Sequence, residues 1–197
     1  MRKLDTFEHL SDEKKDRVVK ALIKCFGLYG YTKTSVNDIA KEARISKASL
    51  FYYFETKENM YIYINDFVAN ELFKAEIPLE SDLFQSLFNY MEAQVALSKK
   101  YPYIHYFIND QFKAKSPIIS ALQAKNDEKS TRKVLAKVKW EKLRDNIAKD
   151  EVIQIATLIF QGIISSDIEA KTIDEIYENI KAKLTILQKM VYKDEYL

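Results

Sequence analysis

Glycine and proline are scarce: the chain has 3 of each in 197 residues, where about 7% and about 5% are usual. That shortage starves hairpins, many-turned β architectures and glycine-rich phosphate loops, and it points to helices. Cysteine occurs once, at Cys25, which excludes an intrachain disulfide and fits a reducing cytoplasm. No run reaches the ~18 uncharged apolar residues of a membrane span. The first residues carry Asp5, Glu8, Asp12 and Glu13 rather than the apolar core of a secretory signal. A soluble, cytoplasmic protein with no membrane partner is therefore expected. The two histidines, His9 and His105, are far apart, and there is no Glu-x-x-His pair of the kind helical di-iron proteins use. No catalytic constellation, metal or cofactor is expected.

What is present is core material: 47% hydrophobic, 13% aromatic and 30% charged residues exclude disorder and suffice for one or two domains. The net charge of +2 conceals an alternation. Residues 1–60 hold 12 Lys and Arg against 9 Asp and Glu, 61–112 hold 3 against 7, 113–149 hold 11 against 4, and 150–197 hold 5 against 9. A mildly basic head is compatible with nucleic acid. The basic stretch at 113–149 reads first as a solvated helix face.

Ser11 is placed to cap a first helix, with Asp12 and Glu13 in its first turn and Val18, Leu22, Cys25, Phe26 and Tyr29 at helical spacing; Gly27 and Gly30 close it. Thr34 caps a short second helix with the inward stripe Val36, Ile39, Ala40 and Ala43. Arg44 and Ile45 make a turn, Ser46 caps a short third helix, and Thr56 caps a fourth over about 57–74. Helices of about eight residues are not stable alone, so the first three pack as a small head. On a wheel of ~100° per residue, Leu50 and Phe54 face inward, flanked by Lys47 and Phe51, while Ala48, Ser49, Tyr52 and Tyr53 turn outward. A helix, a tight turn and a second helix with an outer face of hydrogen-bonding and stacking groups is the helix-turn-helix design, whose second helix enters the DNA major groove.

Beyond residue 57 the helices lengthen. Met60, Tyr63, Ile64, Phe67, Val68 and Leu72 cover more than one face of the fourth, which reads as a connector between head and body. Ser81 caps a fifth, Pro102 opens a sixth, and Ser116 with Pro117 starts a basic seventh reaching about residue 149, with a break expected near 126–131. Asp150 starts a helix apolar on almost every side. A capping box of Thr172 and Glu175 starts the last, with Ile173, Ile176, Ile180, Leu184, Leu187 and Val191 on its stripe. A helix apolar all round cannot lie on a monomer's surface, so the last two helices, about 150–192, are expected to pair with their copies in a homodimer; burial within one chain is the alternative. The fold class is thus all-α with about nine helices: a three-helix helix-turn-helix head at 1–56 and a larger helical-bundle body at 57–197.

The stretch Gly30-Tyr-Thr-Lys-Thr-Ser-Val-Asn-Asp-Ile-Ala-Lys-Glu-Ala43, followed by Ile45-Ser-Lys-Ala-Ser-Leu-Phe-Tyr-Tyr-Phe54 and Thr56-Lys-Glu58, resembles the signature of the TetR family of transcriptional repressors. The resemblance covers about residues 11–60; the rest is similar only in helix number and order. It implies a homodimer that binds a double-stranded DNA operator through its heads and releases it when a small-molecule inducer fills a pocket in the body. By position it implies that Ser46, Lys47, Ser49, Tyr52 and Tyr53 face bases and nearby phosphates, that Thr34 and Lys57 grip the backbone, and that Asn37 reaches a base edge. Two residues depart from the pattern. Arg44 stands where the family usually has Gly, at about 1–2 kcal/mol if the turn is left-handed, and Phe51 stands where it often has Tyr, removing a hydroxyl that would touch phosphate.

For a pocket, the first candidates are Met60, Phe67, Tyr103, Phe107, Trp140 and Phe160, since ligand cavities are mainly apolar; aromatics at helical spacing are also ordinary core. A different class of function, a helical protein-interaction module with a vestigial head, would show little affinity for DNA and no steep salt dependence. The outward Ser49, Tyr52 and Tyr53 argue against it.

Overall fold

The computed structural model describes residues 2–74, 80–113, 117–167 and 172–197. Among them are ten α-helices: α1 (Arg2–Glu8), α2 (Asp12–Lys33), α3 (Val36–Ala43), α4 (Lys47–Phe54), α5 (Lys57–Lys74), α6 (Leu83–Lys100), α7 (Ile104–Lys113), α8 (Pro117–Leu135), α9 (Lys149–Asp167) and α10 (Ile173–Val191). The extended pairing among the described residues is one antiparallel bridge between Leu143 and Tyr192. The all-α expectation holds, with α1 as the helix that the sequence reading lacks.

The chain forms two compact units, Met1–Lys74 with Leu97–Ala124, and Ala75–Ala96 with Lys125–Leu197. In the first, Val18, Leu22, Ile23 and Phe26 of α2 meet Ile39 and Ala43 of α3, Leu50 and Phe54 of α4, Met60, Tyr61 and Ile64 of α5, and Phe107 of α7 in one buried core. Packing therefore groups all of α5 with the head, so the functional division expected at 56/57 is not a packing boundary. In the second unit, α9 and α10 pair. Val152, Ala156 and Ile164 are buried on α9, and Ile176, Ile180, Leu184, Leu187 and Val191 on α10, while Phe84 meets Tyr192 edge-on at 5.2 Å. The Thr172–Glu175 capping box is formed as expected.

Several boundaries differ for local reasons. α2 does not stop at Gly27 but runs to Lys33. A Cβ on Gly27 would lie 3.0 Å from the Phe107 nitrogen and the Tyr103 oxygen, so this glycine is a crossing point for α7. Gly30 breaks the helical conformation inside α2, with φ 71 and ψ 166, a combination open to glycine. Ser11 precedes α2 without a side-chain capping bond. The cap of α3 is Ser35, whose hydroxyl accepts the Asp38 N–H, not Thr34. Before α6 it is Asp82, not Ser81, that accepts the Gln85 N–H, at 3.0 Å. α7 starts at Ile104, after Pro102 and Tyr103. α8 passes unbroken through 126–131 and ends at Leu135. The cap assigned to Ser116 lies outside the described residues.

Candidate nucleic-acid interface

α3 and α4 are joined by a three-residue turn whose hydrogen bonds define its shape. Ile45 N–H donates to the Ala40 carbonyl at 3.0 Å and Arg44 N–H to the Lys41 carbonyl at 3.2 Å, the paired bonds of a Schellman motif. That motif requires a left-handed residue after the helix, and Arg44 takes it with φ 53 and ψ 44. At the far end of α4, Glu55 has φ 65 and ψ −46, and Thr56 N–H donates to the Phe54 carbonyl at 2.7 Å, a γ-turn of the strained hand. Arg44 and Glu55 are the non-glycine residues of positive φ among the described ones, and they bracket α4. Strain held by the surroundings at both ends of one short helix is the pattern of a functional element.

Within α4, Ser46 accepts the Ser49 N–H at 2.9 Å, and the two hydroxyls lie 2.8 Å apart. Leu50 and Phe54 point inward as expected. Tyr53 does so as well, and this corrects its outward assignment: it is 7% exposed, with Phe7 of α1 at 5.7 Å between ring centroids and Lys14 Nζ 3.4 Å from its hydroxyl. Leu50, Tyr53 and Phe54 form an i, i+3, i+4 stripe, and the cover over Tyr53 is α1. The outer face carries Lys47, Ala48, Phe51 and Tyr52, with Tyr52 56% exposed. Ser49 is half-buried at its edge, and Asn37 of α3 is exposed. Phe51, read as flanking the inner face, stands outward at 38% exposure beneath the Lys47 ammonium, 5.9 Å from its ring centre.

Two residues assigned to the DNA backbone are occupied within the protein. Thr34 is buried, its hydroxyl 2.8 Å from the Cys25 carbonyl and 2.7 Å from that of Gly30. Lys57, the first residue of α5, donates to the carbonyls of Tyr31 at 2.8 Å, Thr34 at 3.1 Å and Thr32 at 3.4 Å, and its ammonium sits 4.7 Å from the Tyr31 ring centre. The end of α2 exposes carbonyls that helix geometry leaves unpaired, and Lys57 satisfies them. Arg17 does the same for α3, its Nε donating to the Ala43 carbonyl at 3.0 Å. Lys14 is an addition that sequence reasoning missed, because its contact depends on where Tyr53 comes to lie; Phe51, passed over as a DNA contact for want of a hydroxyl, stands on the exposed face of α4.

The six pocket candidates divide between the units. Met60 and Phe107 are fully buried core residues of the first. Phe67, edge-on to Tyr101 at 5.6 Å, and Tyr103, whose ring lies 5.6 Å from Lys24 Nζ, are half-buried there. Trp140 and Phe160 belong to the second unit, where Phe160 approaches Tyr177 at 6.2 Å. Tyr177 is buried and donates to Gln94, and burial raises its phenol well above the usual range. Burial also pushes the His105 imidazole down, and the Cys25 thiol up to about 11. Among the described residues, no three His, Cys, Asp or Glu side chains gather as a metal site, and no helix is long and apolar enough to cross a membrane.

A short helix capped by Ser46 and joined to α3 through a Schellman turn is a helix-turn-helix arrangement. Residues 18–64, which run from α2 through α3 and α4 into α5, match the family described as bacterial regulatory proteins, tetR family. It is 32% identical over 85 residues to the biofilm operon icaADBC HTH-type negative transcriptional regulator IcaR of Staphylococcus aureus (strain Newman), covering 39% of this chain and 45% of IcaR. It is 34% identical over 61 residues to the uncharacterized HTH-type transcriptional regulator YuxN of Bacillus subtilis (strain 168), covering 31% and 21%. The matched region thus spans less than half the length of these relatives. Among solved structures, a TetR family regulator from Chloroflexus aurantiacus J-10-FL superposes with a TM-score of 0.69 at 19% identity, covering 96% of this chain and 98% of that one. The regulator TylP of Streptomyces fradiae gives 0.64 at 18%, covering 93% and 89%. These similar proteins are described as transcriptional regulators.

Proposed function

We propose that this chain is a transcriptional repressor that binds a near-palindromic operator as a homodimer and releases it when a small, largely apolar inducer occupies the helical body. The observation that carries the reading is the outer face of α4, where Lys47, Ala48, Phe51 and Tyr52 stand exposed beside Ser46 and Ser49. A helix of this width fits the major groove, with Ser46, Ser49, Tyr52 and Asn37 toward base edges and Lys47 toward phosphate. Thr34, Tyr53 and Lys57 act one step back, holding the ends of α2 and the inner side of α4. Repression, rather than activation, is supported by the description of IcaR as a negative regulator.

Residues 1–56 serve as the DNA-binding head and 57–197 as the dimerisation and ligand-binding region. Ile155 and Leu158 of α9 and Ile186 and Met190 of α10 are 44%, 60%, 54% and 66% exposed in the single chain; apolar residues this open on two adjacent helices call for a partner, and a second copy supplies a self-complementary one. Two heads related by a dyad would read half-sites about 34 Å apart or a multiple of it. An inducer lowers operator affinity by its preference for the state with wrongly spaced heads.

The test is a mobility-shift assay of the full chain on DNA upstream of its own coding region, at several salt concentrations, with and without candidate apolar compounds. Sequence-specific, salt-dependent retardation that a saturating compound reverses supports the reading. Retardation of every duplex alike, or none at low salt, overturns it in favour of a protein-interaction module.

A further inference from the structure

Phe51 is the residue of α4 that the backbone-gripping role fits least. It is a large hydrocarbon, 38% exposed, one position from the most exposed aromatic of the helix, Tyr52. Its i−3 neighbour, Ala48, is also exposed, so the two make a small apolar strip along the outer face, with the Lys47 ammonium at its edge, 5.9 Å from the Phe51 ring centre. Neither side chain donates or accepts a hydrogen bond. Whatever they meet in a groove must itself be apolar.

The edges of base pairs in the major groove present hydrogen-bond donors and acceptors with one aliphatic exception, the 5-methyl group of thymine. We infer that Phe51, with Ala48, is a specificity-determining residue that reads a thymine methyl in each half-site. The inference rests on the DNA-binding reading above and deepens it by naming the chemical group recognised. Lys47 gives the strip a direction: its ammonium lies 5.9 Å from the Phe51 ring centre, so one end of the apolar strip carries a positive charge suited to a phosphate. A tyrosine here would carry a hydroxyl that seeks a phosphate or a polar edge; phenylalanine trades that contact for preference.

The probe is a duplex enriched by the wild-type full-length chain from a random-sequence library, then resynthesised with single thymines replaced by deoxyuridine, which deletes the methyl and nothing else. At one position per half-site the replacement should weaken binding by roughly fourfold, the worth of one buried methyl group. Phe51→Ala should bind the thymine and deoxyuridine duplexes equally, whereas Phe51→Leu, which keeps a hydrocarbon and the helix fold, should retain part of the difference. Wild-type binding indifferent to every deoxyuridine replacement would overturn the inference while leaving sequence-specific DNA binding intact, as would a Phe51→Ala loss of the same size on both duplexes. Failure to enrich any sequence would overturn the DNA-binding reading, and this inference with it.

Discussion

The ammonium of Lys57 lies 2.8 Å from the carbonyl oxygen of Tyr31, tying the first residue of α5 to the last turn of α2. With its further bonds to Thr34 and Thr32, the side chain is a clamp on the link between α2 and α3, the helix that precedes α4. Lys57→Ala leaves those carbonyls short of a charged donor, a change worth about 1.5–3 kcal/mol. The urea midpoint should fall accordingly. DNA affinity should fall with it, yet the salt dependence of binding should keep its slope, because a lysine engaged with carbonyls neutralises no phosphate. A slope reduced by about 1 would restore Lys57 to the DNA backbone.

Arg44 occupies a conformation that suits glycine, at φ 53 and ψ 44. Replacing it with Gly removes about 1–2 kcal/mol of steric strain and returns part of that as greater freedom of the unfolded chain. The net expectation is a gain of up to about 1 kcal/mol, read as a raised denaturant midpoint at unchanged m-value.

Gly27 is where α7 crosses α2. A methyl group there would meet the backbone of Phe107 and Tyr103 at 3.0 Å, and backbone cannot swing aside as a side-chain tip can. Gly27→Ala therefore destabilises by about 1–3 kcal/mol through overpacking, despite the better helix propensity of alanine. Thermal unfolding of the variant should show a lowered midpoint; an unchanged or raised one would mean the two helices can separate without penalty.

The Cys25 thiol is buried, and burial holds its pKa up at about 11 against an ordinary 9.0. The folded chain therefore keeps a proton that the unfolded chain gives up between those values, so this group's contribution to stability is full below about pH 9 and declines as pH rises toward 11. At pH 8 the native thiol should resist a thiolate-selective reagent and react at once in denaturant. Rapid native labelling would contradict the burial.

Much of this protein was legible in residue order. The caps at Ser46 and Thr56 and the capping box at Thr172 are local chemistry, and so is the pattern that brings Leu50 and Phe54 to one side of a helix. The left-handed turn at Arg44 follows from its place in a short linker. Other features depend on what approaches from elsewhere in the chain. The side of α4 to which Tyr53 belongs was decided by α1, a seven-residue helix whose Phe7 is the cover and whose own sequence has no periodic signal. Sequence assigns Lys57 and Thr34 to the DNA backbone because an exposed lysine and a helix-start hydroxyl look alike in sequence, whether they meet phosphate or the carbonyls of α2. The length of α2 likewise followed from α7, since Gly27 is a helix breaker in isolation and a contact surface once another helix lies against it. Periodicity and capping are carried by neighbours within a turn or two along the chain. The facing of an aromatic, the partner of an ammonium and the use of a glycine are set by distant segments, which only the folded chain brings together.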